Sequence, residues 1–176
     1  MEIKVSEIPE EGLGIEFTEE PGSLSGLGEG VKALSRALAR FSLKKVGSTV
    51  FLTGDVDGKI ELVCARCGKS YPLAVGASLK LDINELSALA KEDEKELSSG
   101  DLDVEFYQDD TIDLSSILRE QLILQVPMKP LCSENCKGLC PQCGQDKNVA
   151  ECSCSPDTGH PGLSALGELL KDKLGK

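Results

Sequence analysis

The chain has 176 residues, 40% hydrophobic but only 3% aromatic and without tryptophan, so a core of Leu, Val, Ile and Ala can form while a base-stacking aromatic platform is disfavoured. A formal net charge of −11 argues against wholesale wrapping of nucleic acid or adhesion to an anionic membrane. Residues 1–11 are acidic with no uninterrupted apolar run, and no stretch approaches the roughly 20 apolar residues that span a bilayer, so the expectation is a cytoplasmic protein with no membrane partner.

The first 20 residues alternate weakly at Ile3, Val5 and Ile8 and read as a short edge strand and a loop. Gly22, Gly26, Gly28 and Gly30 loosen the next segment. Residues 31–41 place Val31, Leu34, Leu38 and Phe41 at helical spacing, which predicts a helix. From 46 to 83 the period changes to two, with Asp57-Gly58 as a hairpin signal and Cys64 to Cys67 as a second turn. Residues 85–110 are acidic and predict a solvated excursion, with a short helix near 85–90. A further helix is expected with Asp113 as N-cap, Leu114, Ile117, Leu118 and Leu122 as its apolar face, and Pro127 as its stop. A cysteine-rich segment and a short amphipathic tail follow. The predicted fold is α+β, an antiparallel β meander packed with a few helices plus a small C-terminal zinc-binding cysteine cluster. The corresponding organisation is a core at 1–131, a cysteine segment at 132–158 and a helical tail at 159–176.

Eight cysteines in a cytoplasmic protein point to metal or redox chemistry, because disulfides are rare there. The turn Cys-x-x-Cys-Gly occurs at Cys64/Cys67 and again at Cys140/Cys143. Two spacer residues let both sulfurs reach one ion at about 2.3 Å, and the glycine admits the positive φ that closes the turn. With Cys132, Cys136, Cys152 and Cys154 they make eight ligands, enough for two four-cysteine Zn²⁺ sites. The favoured partition is a local site from Cys140, Cys143, Cys152 and Cys154 and a long-range site from Cys64, Cys67, Cys132 and Cys136. The rival places Cys132, Cys136, Cys140 and Cys143 on one ion and strands Cys64/Cys67 with the closely spaced Cys152/Cys154. Eight thiolates and two Zn²⁺ would take the formal charge to about −15.

Three other readings compete. A redox dithiol would put one Cys-x-x-Cys at a helix N-terminus, whereas Cys64/Cys67 lies between predicted strands. Disulfides would require an oxidising compartment. An iron–sulfur cluster satisfies the cysteine count alone. His160 is the only histidine and reads as a surface residue, so no Ser/His/Asp set can be assembled and no catalytic residue is assigned.

Lys32, Arg36, Arg40 and Lys44 fall four apart and would form one cationic helix face, able to meet RNA phosphates or an acidic partner, or simply to face solvent. Arg66, Lys69, Lys129, Lys137 and Lys147, near the cysteines, are a second candidate for such contact, or would simply offset thiolate charge.

The segments Cys64-Ala-Arg-Cys67, Leu118-Arg-Glu-Gln-Leu-Ile-Leu-Gln-Val-Pro-Met-Lys-Pro-Leu-Cys132 and Cys136-Lys-Gly-Leu-Cys140-Pro-Gln-Cys143-Gly together resemble the YceD-like proteins, the large ribosomal RNA subunit accumulation proteins of bacteria and plastids. His160-Pro-Gly-Leu-Ser-Ala-Leu is similar to that family's Asp-Pro-Arg-Leu-x-x-Leu tail, with His for Asp and Gly for Arg. The resemblance runs from about residue 46 to 170. It implies a non-enzymatic role in accumulation or processing of large-subunit (23S) ribosomal RNA, with a ribosomal protein, an assembly factor or pre-ribosomal RNA as partner and no small-molecule substrate. It also implies that Cys64, Cys67, Cys132 and Cys136 act as one unit, since some members lack the Cys140 to Cys154 group. The reading from a different class is a thiol-based oxidoreductase or redox sensor using the Cys-x-x-Cys pairs, which requires accessible low-pKa thiols.

Overall fold

The computed structural model of the protein describes residues 1–86 and 104–154. The helix predicted near 85–90, the tail at 159–176, His160 and the tail motif lie wholly or mostly outside the described residues. Strands β1 (Glu2–Lys4), β2 (Leu13–Glu19), β3 (Lys32–Ala33), β4 (Ala37–Val46), β5 (Thr49–Val63), β6 (Ser70–Glu85), β7 (Val104–Tyr107) and β8 (Thr111–Asp113) precede one helix, α1 (Leu114–Leu124). Six strands form one sheet in the order β2-β4-β5-β6-β7, with β3 also paired to β5, and β1 pairs with β8. Consecutive strands β4, β5 and β6 are antiparallel, which is the predicted meander, while β7 joins β6 in parallel.

Along β4 the odd positions Ala37, Ala39, Phe41 and Leu43 are buried, and Val50, Leu52, Val56, Ile60 and Leu62 face the same side from β5. Period two puts alternate side chains on one sheet face, and this face is the core. Helix α1 lies over it and buries Leu114, Ile117, Leu118 and Leu122. Its first turn is capped as expected: the Asp113 carboxylate accepts from the Ser115 amide at 3.0 Å. The helix ends at Leu124, three residues before Pro127. Full burial of each such leucine contributes about 1.5–3 kcal/mol, so this stripe alone accounts for the docking of α1.

Three expectations need correction. Residues 31–41 are not a helix; 37–46 form β4, paired with β2 over 37–43 and with β5 over 38–46. Ala, Leu and Arg favour a helix locally, but two neighbouring strands satisfy the backbone and bury Ala37, Ala39, Phe41 and Leu43 together, and that wins. Asp57-Gly58 is not a turn but the interior of the 15-residue β5. A Cβ on Gly58 would stand 3.5 Å from Leu122 and 3.6 Å from Ala37, ordinary van der Waals contact beneath α1. The hairpin turn is instead Gly47-Ser48, closed by the Val46–Thr49 pair with Gly47 at φ +64°. Finally, the described residues hold one α-helix and a 3-10 turn at Val5–Glu7 rather than a few helices, and β7 emerges from the end of the predicted excursion.

Gly54 shows how tightly the sheet is built. A Cβ there would fall 2.1 Å from the Arg40 carbonyl oxygen and 2.7 Å from the Phe41 ring. Phe41 fills that space and meets Phe17 edge-on, ring centroids 5.9 Å apart.

Candidate metal centres

The two Cys-x-x-Cys-Gly segments fold into the same turn. In the first, which joins β5 to β6, the Cys64 amide donates to the Lys69 carbonyl at 3.0 Å and the Gly68 amide to the Cys64 carbonyl at 2.9 Å. In the second, the Cys140 amide donates to the Gln145 carbonyl at 2.8 Å and the Gly144 amide to the Cys140 carbonyl at 2.9 Å. Gly68 and Gly144 take φ of +69° and +74°, a conformation open to glycine. The turn aims backbone N–H groups at its first sulfur. Backbone amides of Cys132, Cys67 and Arg66 hold the Cys64 thiol down at about 6 against its burial, and those of Cys143 and Gln142 do the same for Cys140, also at about 6.

The sulfurs gather in two sets, Cys64/Cys67/Cys132/Cys136 and Cys140/Cys143/Cys152/Cys154, with ligand atoms in each set within 4.8 Å of one another. This is the grouping of the favoured partition, and the rival sets are not brought together. Cys64 and Cys136 sulfurs are 3.8 Å apart, those of Cys67 and Cys132 3.7 Å. A tetrahedral ion with four sulfur bonds of about 2.3 Å spaces its ligands about 3.8 Å apart. A disulfide needs about 2.05 Å, and all eight cysteines are free. A four-iron cluster puts each thiolate on a different iron and spreads them further. The residues therefore fit a single ion per set. Without a cation, four thiolates repel: Cys132 is pushed up to about 12, first by its hydrogen bond with Cys136, and Cys154 to about 12, first by its hydrogen bond with Cys143. A divalent ion offsets that repulsion and displaces the protons.

The environments differ. Cys64, Cys67 and Cys136 are buried and pack with Leu131 and Tyr71, whereas Cys143 is exposed and Cys152 and Cys154 are half-buried. The long-range set is laced together by backbone: the Ala65 amide donates to the Pro130 carbonyl at 2.8 Å and the Leu139 amide to the Arg66 carbonyl at 3.1 Å. The Arg66 guanidinium donates to the Cys136 carbonyl at 2.8 Å and the Glu134 carbonyl at 3.3 Å. Sequence reasoning cast Arg66 as part of a contact surface or as a counter-charge; its observed work is to fasten the second half of the set. Gly138 (φ +73°) lies so close that a Cβ would be 2.9 Å from the Arg66 carbonyl oxygen. The sequence reading missed Asn148, whose amide nitrogen lies 3.4 Å from the Cys136 sulfur. The only signal for it was the turn-forming Asp146-x-Asn148 spacing.

The four predicted basic residues lie on strands or beside them. Arg40 and Lys44 still share the outer face of β4, because four is an even number and period two returns to the same side. Arg36 meets Glu20 at 2.6 Å, and Arg40 meets Glu16 at 3.0 Å and Asp57 at 3.5 Å. Two of the four cations thus already face carboxylates.

The family described as "Large ribosomal RNA subunit accumulation protein YceD" matches residues 52–170. The chain is 30% identical to the uncharacterized protein YlbN of Bacillus subtilis over 171 residues, 96% of this chain and 94% of that protein. It is 29% identical to the chloroplastic large ribosomal RNA subunit accumulation protein YCED homolog 1 of Zea mays over 143 residues, covering 68% of this chain but 48% of the maize protein. The Arabidopsis thaliana protein of the same name is 26% identical over 139 residues, 67% of this chain and 43% of that protein. The chain thus spans nearly all of the bacterial relative and about half of the plant ones. No solved structure matches it. Matched by the family over more than half its length, and aligned nearly end to end with the Bacillus protein, this chain belongs to the YceD family.

Proposed function

We propose that this protein is a non-enzymatic ribosome-biogenesis factor, acting in the cytoplasm to promote accumulation or processing of large-subunit (23S) ribosomal RNA. Family membership carries this reading, since the plant relatives are named for that role. The cysteines support the non-enzymatic part: as ligands to two structural Zn²⁺ ions, Cys64, Cys67, Cys132 and Cys136 on one and Cys140, Cys143, Cys152 and Cys154 on the other, they would be spent on holding the chain. No helix among the described residues is long and apolar enough to cross a membrane. A ribosomal protein or assembly factor is the favoured partner over bare pre-ribosomal RNA. The net charge is −11 and the arginines of the predicted basic stripe are engaged by Glu16, Glu20 and Asp57. Among the described residues Lys32 and Lys44 make no ion pair, and they are the stripe residues an RNA contact would use.

Deleting the gene should lower mature large-subunit ribosomal RNA relative to small-subunit RNA; an unchanged ratio would sink the assignment. Elemental analysis of the purified protein should find about two zinc per chain. Iron, or thiols that react freely in the metal-replete native protein, would favour the redox reading instead.

A further inference from the structure

The two cysteine sets are joined through one side chain. Asn148 lies in the segment between Cys143 and Cys152, inside the local set, yet its Nδ2 points at the buried sulfur of Cys136 in the long-range set, at 3.4 Å. Its partners dictate the amide's orientation. Oδ1 accepts from the Lys137 backbone N–H at 2.7 Å, and a backbone N–H can only donate. Nδ2 also donates to the Asp146 carboxylate at 2.7 Å, which can only accept. Both constraints leave the N–H side facing the sulfur. Asp146 in turn holds the Asn148 backbone amide at 2.8 Å.

The same segment is stitched to the chain between the sets. The Lys147 amide donates to the Gly138 carbonyl at 3.0 Å, and Leu139 and Asp146 form an isolated β-bridge. Residues 145–150 are thus tethered at both ends by ligands of one set and present a donor to the other. A four-thiolate site on a divalent ion carries a net charge of −2, and an N–H donor to sulfur disperses it.

We propose that Asn148 couples the loading of the two sites. Metal at Cys140, Cys143, Cys152 and Cys154 fixes the 145–150 segment, and with it the amide that caps the Cys136 sulfur, so the long-range site binds its ion more tightly. Linkage makes the effect mutual: the long-range ion tightens the local one by the same factor. This inference rests on the zinc reading above.

The test is a Co²⁺ titration of the reduced, metal-free full chain carrying Tyr107→Phe. Tyr71 packs on the long-range set and is then the only tyrosine in a chain without tryptophan, so quenching of its emission reports that site. Removing the local site with Cys140→Ser/Cys143→Ser should raise the Co²⁺ needed for half-quenching about 10-fold, the low end of what outer-shell partners are worth. Asn148→Ala with the local site intact should lose most of that advantage, and so should the isosteric Asn148→Asp, which keeps the acceptor but cannot donate. In the Cys140→Ser/Cys143→Ser background, Asn148→Ala should add little. Equal half-quenching with and without the local site overturns the coupling, as does an equal Asn148→Ala loss in both backgrounds. Failure to develop cobalt–thiolate absorbance at all would overturn the metal reading with it. Two bound Co²⁺ without mutual influence would overturn the coupling alone.

Discussion

The two four-cysteine sets use the same turn and the same residue type but sit in different places. The local set closes within 15 residues of chain, from Cys140 to Cys154, and leaves Cys143 exposed. The long-range set joins Cys64 to Cys136, 72 residues apart, and buries three of its four sulfurs. Closing the longer loop costs about 1.4 kcal/mol more entropy, growing only as the logarithm of length. In return it pins the β5–β6 turn to the segment after α1. One set organises a short appendage; the other ties that appendage to the sheet.

This contrast can be broken by experiment. Cys64→Ser should be the most damaging ligand change, costing on the order of 4 kcal/mol or more, because structural zinc affinity is folding free energy. It should lower the thermal midpoint of the whole domain, while Cys143→Ser should lower it far less. Equal losses in calorimetry would erase the distinction between the sites. Leu118→Ala, in the core beneath the sheet, should cost about 3 kcal/mol by chemical denaturation yet leave two metals bound. Loss of metal with it would mean that sheet and sites are not separable. Gly138→Ala introduces a Cβ 2.9 Å from the Arg66 carbonyl oxygen at φ +73°. A cost of about 2 kcal/mol is expected, with metal retention weakened first at the long-range site. The smallest effect should come from Arg66→Lys, which keeps the charge but replaces the planar guanidinium whose one terminal nitrogen donates to both the Cys136 and Glu134 carbonyls. About 1 kcal/mol is expected. A neutral result would show that the Ala65–Pro130 and Leu139–Arg66 backbone bonds suffice.

Legibility followed the range of the interactions. Helix α1 was readable in full: the Asp113 cap, the stripe of Leu114, Ile117, Leu118 and Leu122, and the stop before Pro127 lie within a few residues of one another. Residues 31–41 were misread because Val31, Leu34, Leu38 and Phe41 fall at helical spacing, a local pattern that says nothing of strand partners. The deciding fact, pairing to β2 and β5, lies elsewhere in the chain. Asp57-Gly58 was misread for a related reason. The pair lies inside β5, with Asp57 opposite Gly76 and Gly58 opposite Val75, so its extended backbone is set by β6 and not by a local reversal.

The sequence by itself determined the two cysteine turns, since each needs only two spacers and a glycine able to reach positive φ, and it determined α1 from its cap, stripe and stop. It also carried the motifs that place the chain in its family. Only the tertiary structure decided which sulfurs share a set, that 37–46 extends the sheet, and that Asn148 of one set faces Cys136 of the other. Those outcomes depend on which distant segments meet when the sheet closes, and no nearest-neighbour rule along the chain contains that information.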